Sequence, residues 1–278
     1  MPAAPLLITA SFDPGKTPQV ALRNVEDRIR CHMEGLLAWL KDPGIGRIVF
    51  AKNCRVQIRK EVLLNVAVEH GKELEFLQAD PSPRTVLQGK GFGEGDLIRQ
   101  VLEKSAILKD ADEFIKVTGK LYAPGWEKVF CGSGDGEFYD AASQSTKPNL
   151  RSWTRPLYRH ENGGCFMCFL KRRIRVPWEF VAAAPLGWID TRIYIVKKEF
   201  YRKNLLGSHR RVQDSLNYTL ENAFSDDLRF FNDIRRIREA PVIIGISGSL
   251  STEAGSFSKE IHQQAKNLTD VVLNVAAF

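Results

Sequence analysis

Short apolar runs alternate with helical periodicity through the first half of the chain, and this alternation constrains the fold more than any other feature. PLLITASF (Pro5 to Phe12) reads as a buried strand. Residues 20–41 then set Val25, Ile29, Met33, Leu36, Leu37 and Leu40 on one helical face, and Pro43 and Gly44 end that helix. GRIVFAKN (Gly46 to Asn53) reads as a second strand, residues 58–70 as a second helix, and LEFLQAD (Leu74 to Asp80) as a third strand. A loop over 80–95 leads to a helix over 95–109 and then to the strand EFIKVTGKLY (Glu113 to Tyr122). Strands separated by helices imply βαβ units, with ligands at the carboxyl ends of the strands. The expected class is α/β: a Rossmann-like, mostly parallel central sheet flanked by helices.

The second half is less regular. Residues 124–187 are rich in Gly, Ser, Pro and aromatics, and CFMCFLKRRIRV (Cys165 to Val176) reads as a strand running into a basic segment. DTRIYIVKKEF (Asp190 to Phe200) begins as a strand and passes into a short helix, and Arg211 to Phe231 has the spacing of an amphipathic helix. PVIIGISGSLS (Pro241 to Ser251) is a strand ending in a Gly/Ser turn, and 252–274 closes the chain as a helix. With no internal repeat, a single domain over 1–278 is the simplest organisation, a first half over 1–123 and a second over 124–278.

Composition narrows the partners. The net charge of +7 is uneven: from residue 141 onward 21 Lys/Arg face 13 Asp/Glu, whereas residues 1–140 carry 19 against 20. A basic half suits a phosphorylated substrate, anionic lipid headgroups or nucleic acid, and equally a solvated basic face. No apolar run is long enough to span a bilayer, and the N-terminus lacks the charged region of a signal peptide. Five cysteines, an odd number and scattered apart from Cys165 and Cys168, suit reduced thiols in a cytosol.

Three short motifs invite chemistry. ASFDPGKT (Ala10 to Thr17) fits a loose Walker A pattern, but Asp13 is anionic and Pro14 has no N–H to offer a phosphate. Cys165 and Cys168 form a CxxC without the second ligand pair that structural zinc requires. GKGFGEGD (Gly89 to Asp96) does not follow a convincing strand and lacks GxGxxG spacing, so a dinucleotide fold is not expected. The segment nevertheless precedes a helix, where free N–H groups and the helix dipole favour an anion, with Lys90 adding charge; a plain flexible turn is the competing reading.

The order of these elements adds a resemblance. GKGFGE (Gly89 to Glu94) and FIKVTGKLY (Phe114 to Tyr122) resemble the GKGYGE and FIKxTGRY motifs of a family of bacterial glycosyltransferases from capsule and surface-polysaccharide loci. Lys120 stands where that family usually has Arg, and Leu121 is inserted before Tyr122. IDTRIYIVKKEFY (Ile189 to Tyr201), VQDSLNYTLE (Val212 to Glu221) and IGISGS (Ile244 to Ser249) extend the similarity, which is weakest between 124 and 187. The layout also resembles GT-A glycosyltransferases in general, which implies a GT-A-like fold, a nucleotide-sugar donor, and a saccharide acceptor, lipid-linked or free.

The resemblance implies a site. In the GT-A layout an acid pair after the fourth strand holds a divalent metal on the diphosphate. Here Thr118, Gly119 and Lys120 stand in that place, so Lys116 or Lys120 is expected to neutralise the leaving diphosphate without metal. Gly89, Lys90, Gly91, Gly93 and Glu94 join these as the donor-binding set. Asp190 and Arg192 are expected to hold a sugar hydroxyl or to pair with each other, and Ser247 and Ser249 to approach donor or acceptor. A late-helix acid acts as general base in inverting members; Asp214 matches that place first and Glu221 second, although Asp214 also suits a helix cap.

The function implied is sugar transfer in capsule or lipopolysaccharide assembly, cytoplasmic and peripheral at the inner membrane. No cofactor beyond the nucleotide-sugar co-substrate and no nucleic acid partner is expected, and a divalent metal is admitted but not favoured. The rival classes are a non-catalytic nucleotide- or nucleic-acid-binding module and a P-loop kinase or sulfotransferase.

Overall fold

The structure, a computed structural model, describes residues 4–17, 20–130, 134–140, 189–228, 231, 233–237, 241–246 and 253–273. The expectations placed on Cys165, Cys168, Ser247, Ser249 and residues 141–187 lie outside these.

Chain order runs β1 (Leu6–Ala10), α1 (Val25–Lys41), β2 (Arg47–Lys52), α2 (Lys60–Glu69), β3 (Glu73–Gln78), then three helices in succession, α3 (Arg84–Gln88), α4 (Lys90–Lys104) and α5 (Ala106–Lys109). β4 (Glu113–Thr118), β5 (Leu121–Tyr122), α6 (Trp126–Val129) and β6 (Gly136–Asp140) follow. The second half contributes β7 (Ile189–Lys197), α7 (Lys198–Asn204), α8 (Leu220–Leu228), β8 (Ile234–Ile237), β9 (Ile244–Ile246), β10 (Glu253–Gly255) and α9 (Lys259–Leu273).

Among the described residues the central sheet has seven strands in the order β3-β2-β1-β4-β7-β6-β8, and a smaller sheet has the order β10-β9-β5. β3, β2, β1 and β4 pair in parallel. β7 is antiparallel to both β4 and β6, and β8 is parallel to β6, so β7 alone runs against the other six. The mostly parallel α/β sheet read from the alternation is therefore present.

Period-two alternation splits each inner strand between two cores. Leu6, Ile8, Ile115, Val117 and Ile193 pack with α1, α2 and α9 on one face, whereas Leu7, Phe114, Tyr194 and Val196 pack with α4, α5, α7 and α8 on the other. Lys116 shares the parity of Phe114 and so points into the α4 and α8 side, 0% exposed.

Several boundaries differ from expectation. α1 begins at Val25 because the Asn24 side chain accepts from the Asp27 N–H and caps it. EFIKVTGKLY is not one strand: β4 ends at Thr118, and Leu121 and Tyr122 pair with β9 in the smaller sheet. The amphipathic helix expected over 211–231 is broken into two 3-10 turns (Ser208–Arg211 and Asp214–Leu216) and then α8, because Asn217 takes the left-handed conformation (φ 57°). The C-terminal helix starts at Lys259, after β10.

Of the loop expected over 80–95, residues 80–83 are irregular and the rest is helical on either side of Gly89. Gly89 (φ 105°) is a kink that ends α3 and caps α4, and Lys90 to Gly95 form the first turns of α4. The glycines are present for closeness rather than flexibility. A Cβ at Gly93 would lie 2.8 Å from Thr85 Cγ2, one at Gly91 3.2 Å from Leu220, and one at Gly95 would run into His209.

Candidate active site

The carboxyl ends of β1 and β4 and the amino end of β7 meet at one edge of the central sheet, and charged side chains collect there from both faces. On the α4 and α8 face, Glu94 pairs with the Lys116 ammonium at 2.5 Å and accepts from Thr9 Oγ1 at 2.8 Å and Thr118 Oγ1 at 3.3 Å. Lys116 Nζ also donates to Thr118 Oγ1 at 3.1 Å and to the Thr191 carbonyl at 2.5 Å. Burial alone would raise the Glu94 carboxyl; the Lys116 charge and hydrogen bond, the Thr9 hydroxyl and Lys90 outweigh it and hold the group below its ordinary value. Lys116, expected to meet a diphosphate, is instead fully enclosed and tied to Glu94 and β7.

Glu221, in the first turn of α8, accepts from Thr191 Oγ1 at 2.9 Å. Arg192 is held by Asp190 in a two-pronged ion pair, with Nη2 2.6 Å from Oδ2 and Nε within 3.1 Å of both oxygens. Of the two roles expected for these residues, pairing with each other is the one seen.

Asp214 is 0% exposed and sits against the amino end of α4. Its Oδ2 accepts from the Gly91 N–H at 3.4 Å, and a Cβ on Gly89 would collide with its carboxyl group. Burial pushes the Asp214 carboxyl up, the Gly91 and Lys90 N–H groups and the Lys90 charge oppose this, and Glu221 adds to the rise. The anion at this helix terminus is thus the chain's own side chain, filling the place that the glycine motif was expected to offer to phosphate. Gly89, Gly91 and Gly93 form no open cradle.

On the α1 face, the turn after β4 delivers Lys120. Its amine is 3% exposed and has no hydrogen-bond partner among the described residues. Burial pushes it down to about 8, with Arg28 and Lys90 adding to the fall and Cys31 opposing it. Gly119 permits the turn to approach α1: a Cβ there would lie 2.7 Å from His32 Nδ1 and 2.8 Å from the Thr9 carbonyl. The Arg28 guanidinium donates to the Ser11 carbonyl at 2.9 and 2.5 Å and to the Leu22 carbonyl at 2.9 Å, which braces the segment after β1. His32, 2% exposed, is held well below its ordinary value by burial, Lys120 and Arg28, so its ring is neutral. Arg28, His32, Thr9 and Thr191 were missed from sequence. The available signal was polar Arg28 and His32 one turn apart, next to Ile29 and Met33 on the buried face of α1.

The Walker-like segment forms no cradle either: the Asp13 side chain accepts from the Gly15 N–H at 2.7 Å and closes its own turn, leaving Lys16 exposed.

No family model matches the chain, and no curated protein does either. Solved structures do. The galactosyltransferase LgtC, determined with donor and acceptor sugar analogs, superimposes with a TM-score of 0.50 at 9% identity over 98% of this chain and 97% of that one. The glycosyltransferase GlyE from Streptococcus pneumoniae TIGR4 gives 0.50 at 10% identity over 98% of this chain and 63% of GlyE. The fold is GT-A-like. The bifunctional glycosyltransferase WbbM gives 0.44 at 10% identity over 84% of this chain, which spans only 38% of WbbM.

Within the GT-A-like fold, the turn after β4 is where a metal-binding acid pair is expected. Here it carries Thr118, Gly119 and Lys120, and the described residues hold no group of three or more His, Cys, Asp or Glu able to ligate a metal. The side chains at this turn therefore do not fit a divalent cation. They fit an anion.

Proposed function

We propose that this chain is a glycosyltransferase that moves a sugar from a nucleoside diphosphate donor to a saccharide hydroxyl. One observation supports the reading: Lys120, enclosed and without a hydrogen-bond partner among the described residues, puts a positive charge beneath the turn after β4, the place that the GT-A layout gives to the donor diphosphate. Burying an ammonium without a counter-ion is costly, so such a site favours an arriving anion. Arg28 and Lys90 add to the positive field felt at Lys120. In the reaction, negative charge grows on the leaving diphosphate as the glycosidic bond breaks, and a fixed ammonium in a water-poor site stabilises that charge most where it develops.

Glu221 is assigned as the general base, removing the acceptor hydroxyl proton as that oxygen attacks the anomeric carbon. It is chosen over Asp214, which is enclosed and committed to α4, because Glu221 keeps some exposure and stands beside Arg192 at the rim. Metal-independent transfer, a lipid-linked acceptor in capsule or lipopolysaccharide assembly, and residence at the cytoplasmic face of a membrane belong to the same proposal. The excess of Lys and Arg after residue 140 supports the last of these.

The test is turnover of UDP-, GDP-, CMP- and dTDP-sugars, with and without a saccharide acceptor. Release of nucleotide from one donor class, undiminished by EDTA, is the expected result. Failure of every nucleotide sugar to bind or react would end the enzyme reading, and activity lost to EDTA and restored by Mn²⁺ would end the metal-independent one.

A further inference from the structure

We infer that Thr191 is the positioning residue for the Glu221 carboxylate, held in place from beneath by Lys116; its bearing on turnover rests on the glycosyltransferase reading. Thr191 is 2% exposed and lies near the amino end of β7, two residues before Ile193, which pairs with Val117 of β4. It is gripped at both ends. Its carbonyl accepts from Lys116 Nζ at 2.5 Å, and its hydroxyl donates to Glu221 Oε1 at 2.9 Å.

Lys116 is in turn fixed by Glu94 and Thr118 Oγ1, and its ammonium lies 5.7 Å from the centre of the Tyr194 ring. The strand residue therefore has little freedom to move. A β-branched side chain is stiff about χ1, so a fixed backbone fixes the direction of the hydroxyl. Glu221 has no such rigidity of its own, because a glutamate on the first turn of a helix has three rotatable side-chain bonds. The Thr191 hydroxyl selects one of its rotamers, occupying Oε1 and leaving Oε2 to meet an acceptor hydroxyl.

Arg192 from β7 also lies near Glu221 and is itself shared with Asp190. The geometric constraint on Glu221 comes from the Thr191 hydroxyl.

The experiment uses Thr191→Val, Thr191→Ala and Thr191→Ser in the full chain, with and without Glu221→Gln. Val and Ala are expected to lower kcat by about tenfold to a hundredfold, as small misplacements of reacting groups do, with the donor KM within about twofold. Ser should retain wild-type kcat, and Val should cost little further in the Glu221→Gln background. Should the Val protein fold poorly, the Ser and Ala pair still isolates the hydroxyl, since both lack the methyl group.

Wild-type kcat in the Val or Ala protein would overturn the inference, as would an undiminished loss in the Glu221→Gln background. Coupling between Thr191→Val and Glu221→Ala in urea midpoints reports the bond without any turnover. Its absence overturns the inference, whereas coupling with no turnover of any donor overturns the glycosyltransferase reading and keeps the bond.

Discussion

Lys120 is a buried cation with no hydrogen-bond partner among the described residues, which destabilises the folded chain unless an anion arrives. The sign of its pH dependence follows from linkage. The folded group titrates at about 8 and the unfolded group at 10.5, so between those values the unfolded state binds more protons. Stability therefore rises as pH rises through 8, and the full penalty, about 3 kcal/mol at about 1.4 kcal/mol per unit, stands below it. Cys31, pushed up to about 11 from 9.0 mainly by burial, acts oppositely above pH 9. The clean window is thus pH 7 to 9. Lys120→Met should unfold at higher urea than wild type at pH 7, and the gap should narrow toward pH 9. Diphosphate binding should run the other way: calorimetry with the nucleoside diphosphate should show affinity falling in wild type above pH 8, and weak at every pH in Lys120→Met. Equal affinity in the two proteins would remove Lys120 from the donor site. A lysine after β4 was legible in the motif FIKVTGKLY. Its isolation was not, because that depends on Arg28, Cys31 and His32, brought up by a helix some 90 residues earlier in the chain.

At the scale of an element, α4 shows why local propensity misled. Glycine in a helix interior costs about 1 kcal/mol relative to alanine, so GKGFGEG reads as a loop on propensity alone. Tertiary approach overrides that cost. α4 enters between Thr85 of α3, His209 of a 3-10 turn and Leu220 of α8, at distances no side chain would allow. This yields an ordered prediction. Gly91→Ala should cost least, because its new methyl meets Leu220 Cβ, the Leu220 backbone nitrogen and Val212 Cγ1 all at 3.2 Å, which shifts of a few tenths of an ångström relieve. Gly93→Ala, 2.8 Å from a Thr85 methyl, should cost more. Gly95→Ala, which strikes His209 near its backbone, should cost the most, about 1–3 kcal/mol, as overpacked sites do. Urea midpoints for the three proteins test the order, and a stabilised Gly95→Ala protein would contradict it. The region before α8 misled for the converse reason. Val212, Leu220, Ala223, Phe224 and Leu228 are all buried as a helical pattern suggests. The interruption comes from Asn217 in the left-handed region and from Asp214 turning back to α4, two facts that periodicity does not carry.

At the scale of the whole molecule, β1 to β4 were legible because every strand there is separated from the next by helical sequence, which forces parallel neighbours. The insertion of β7 between β4 and β6 was not, since antiparallel pairing with a strand 70 residues further along leaves no local mark. Beside that insertion lies the ion pair at the centre of the sheet. Glu94 from α4 meets Lys116 from β4 above the Thr191 carbonyl of β7, and the cluster joins β1, β4, β7 and α4 through Thr9, Thr118 and Thr191. Removing one member leaves the other charge in a poor environment. Lys116→Met and Glu94→Gln should each destabilise by about 3 kcal/mol, the low end for a broken buried pair, because Glu94 keeps some contact with solvent. The double variant should cost clearly less than the two single costs added, because no unpaired charge remains. The acid limb gives an independent sign. Glu94 is held below its ordinary value of 4.5, so its contribution is complete above that pH and is lost as pH falls through the lower, folded value. Wild type should therefore lose stability on acidification below pH 4.5 more steeply than the double variant. Additive costs together with parallel acid limbs would mean that the pair is not the sheet's central tie.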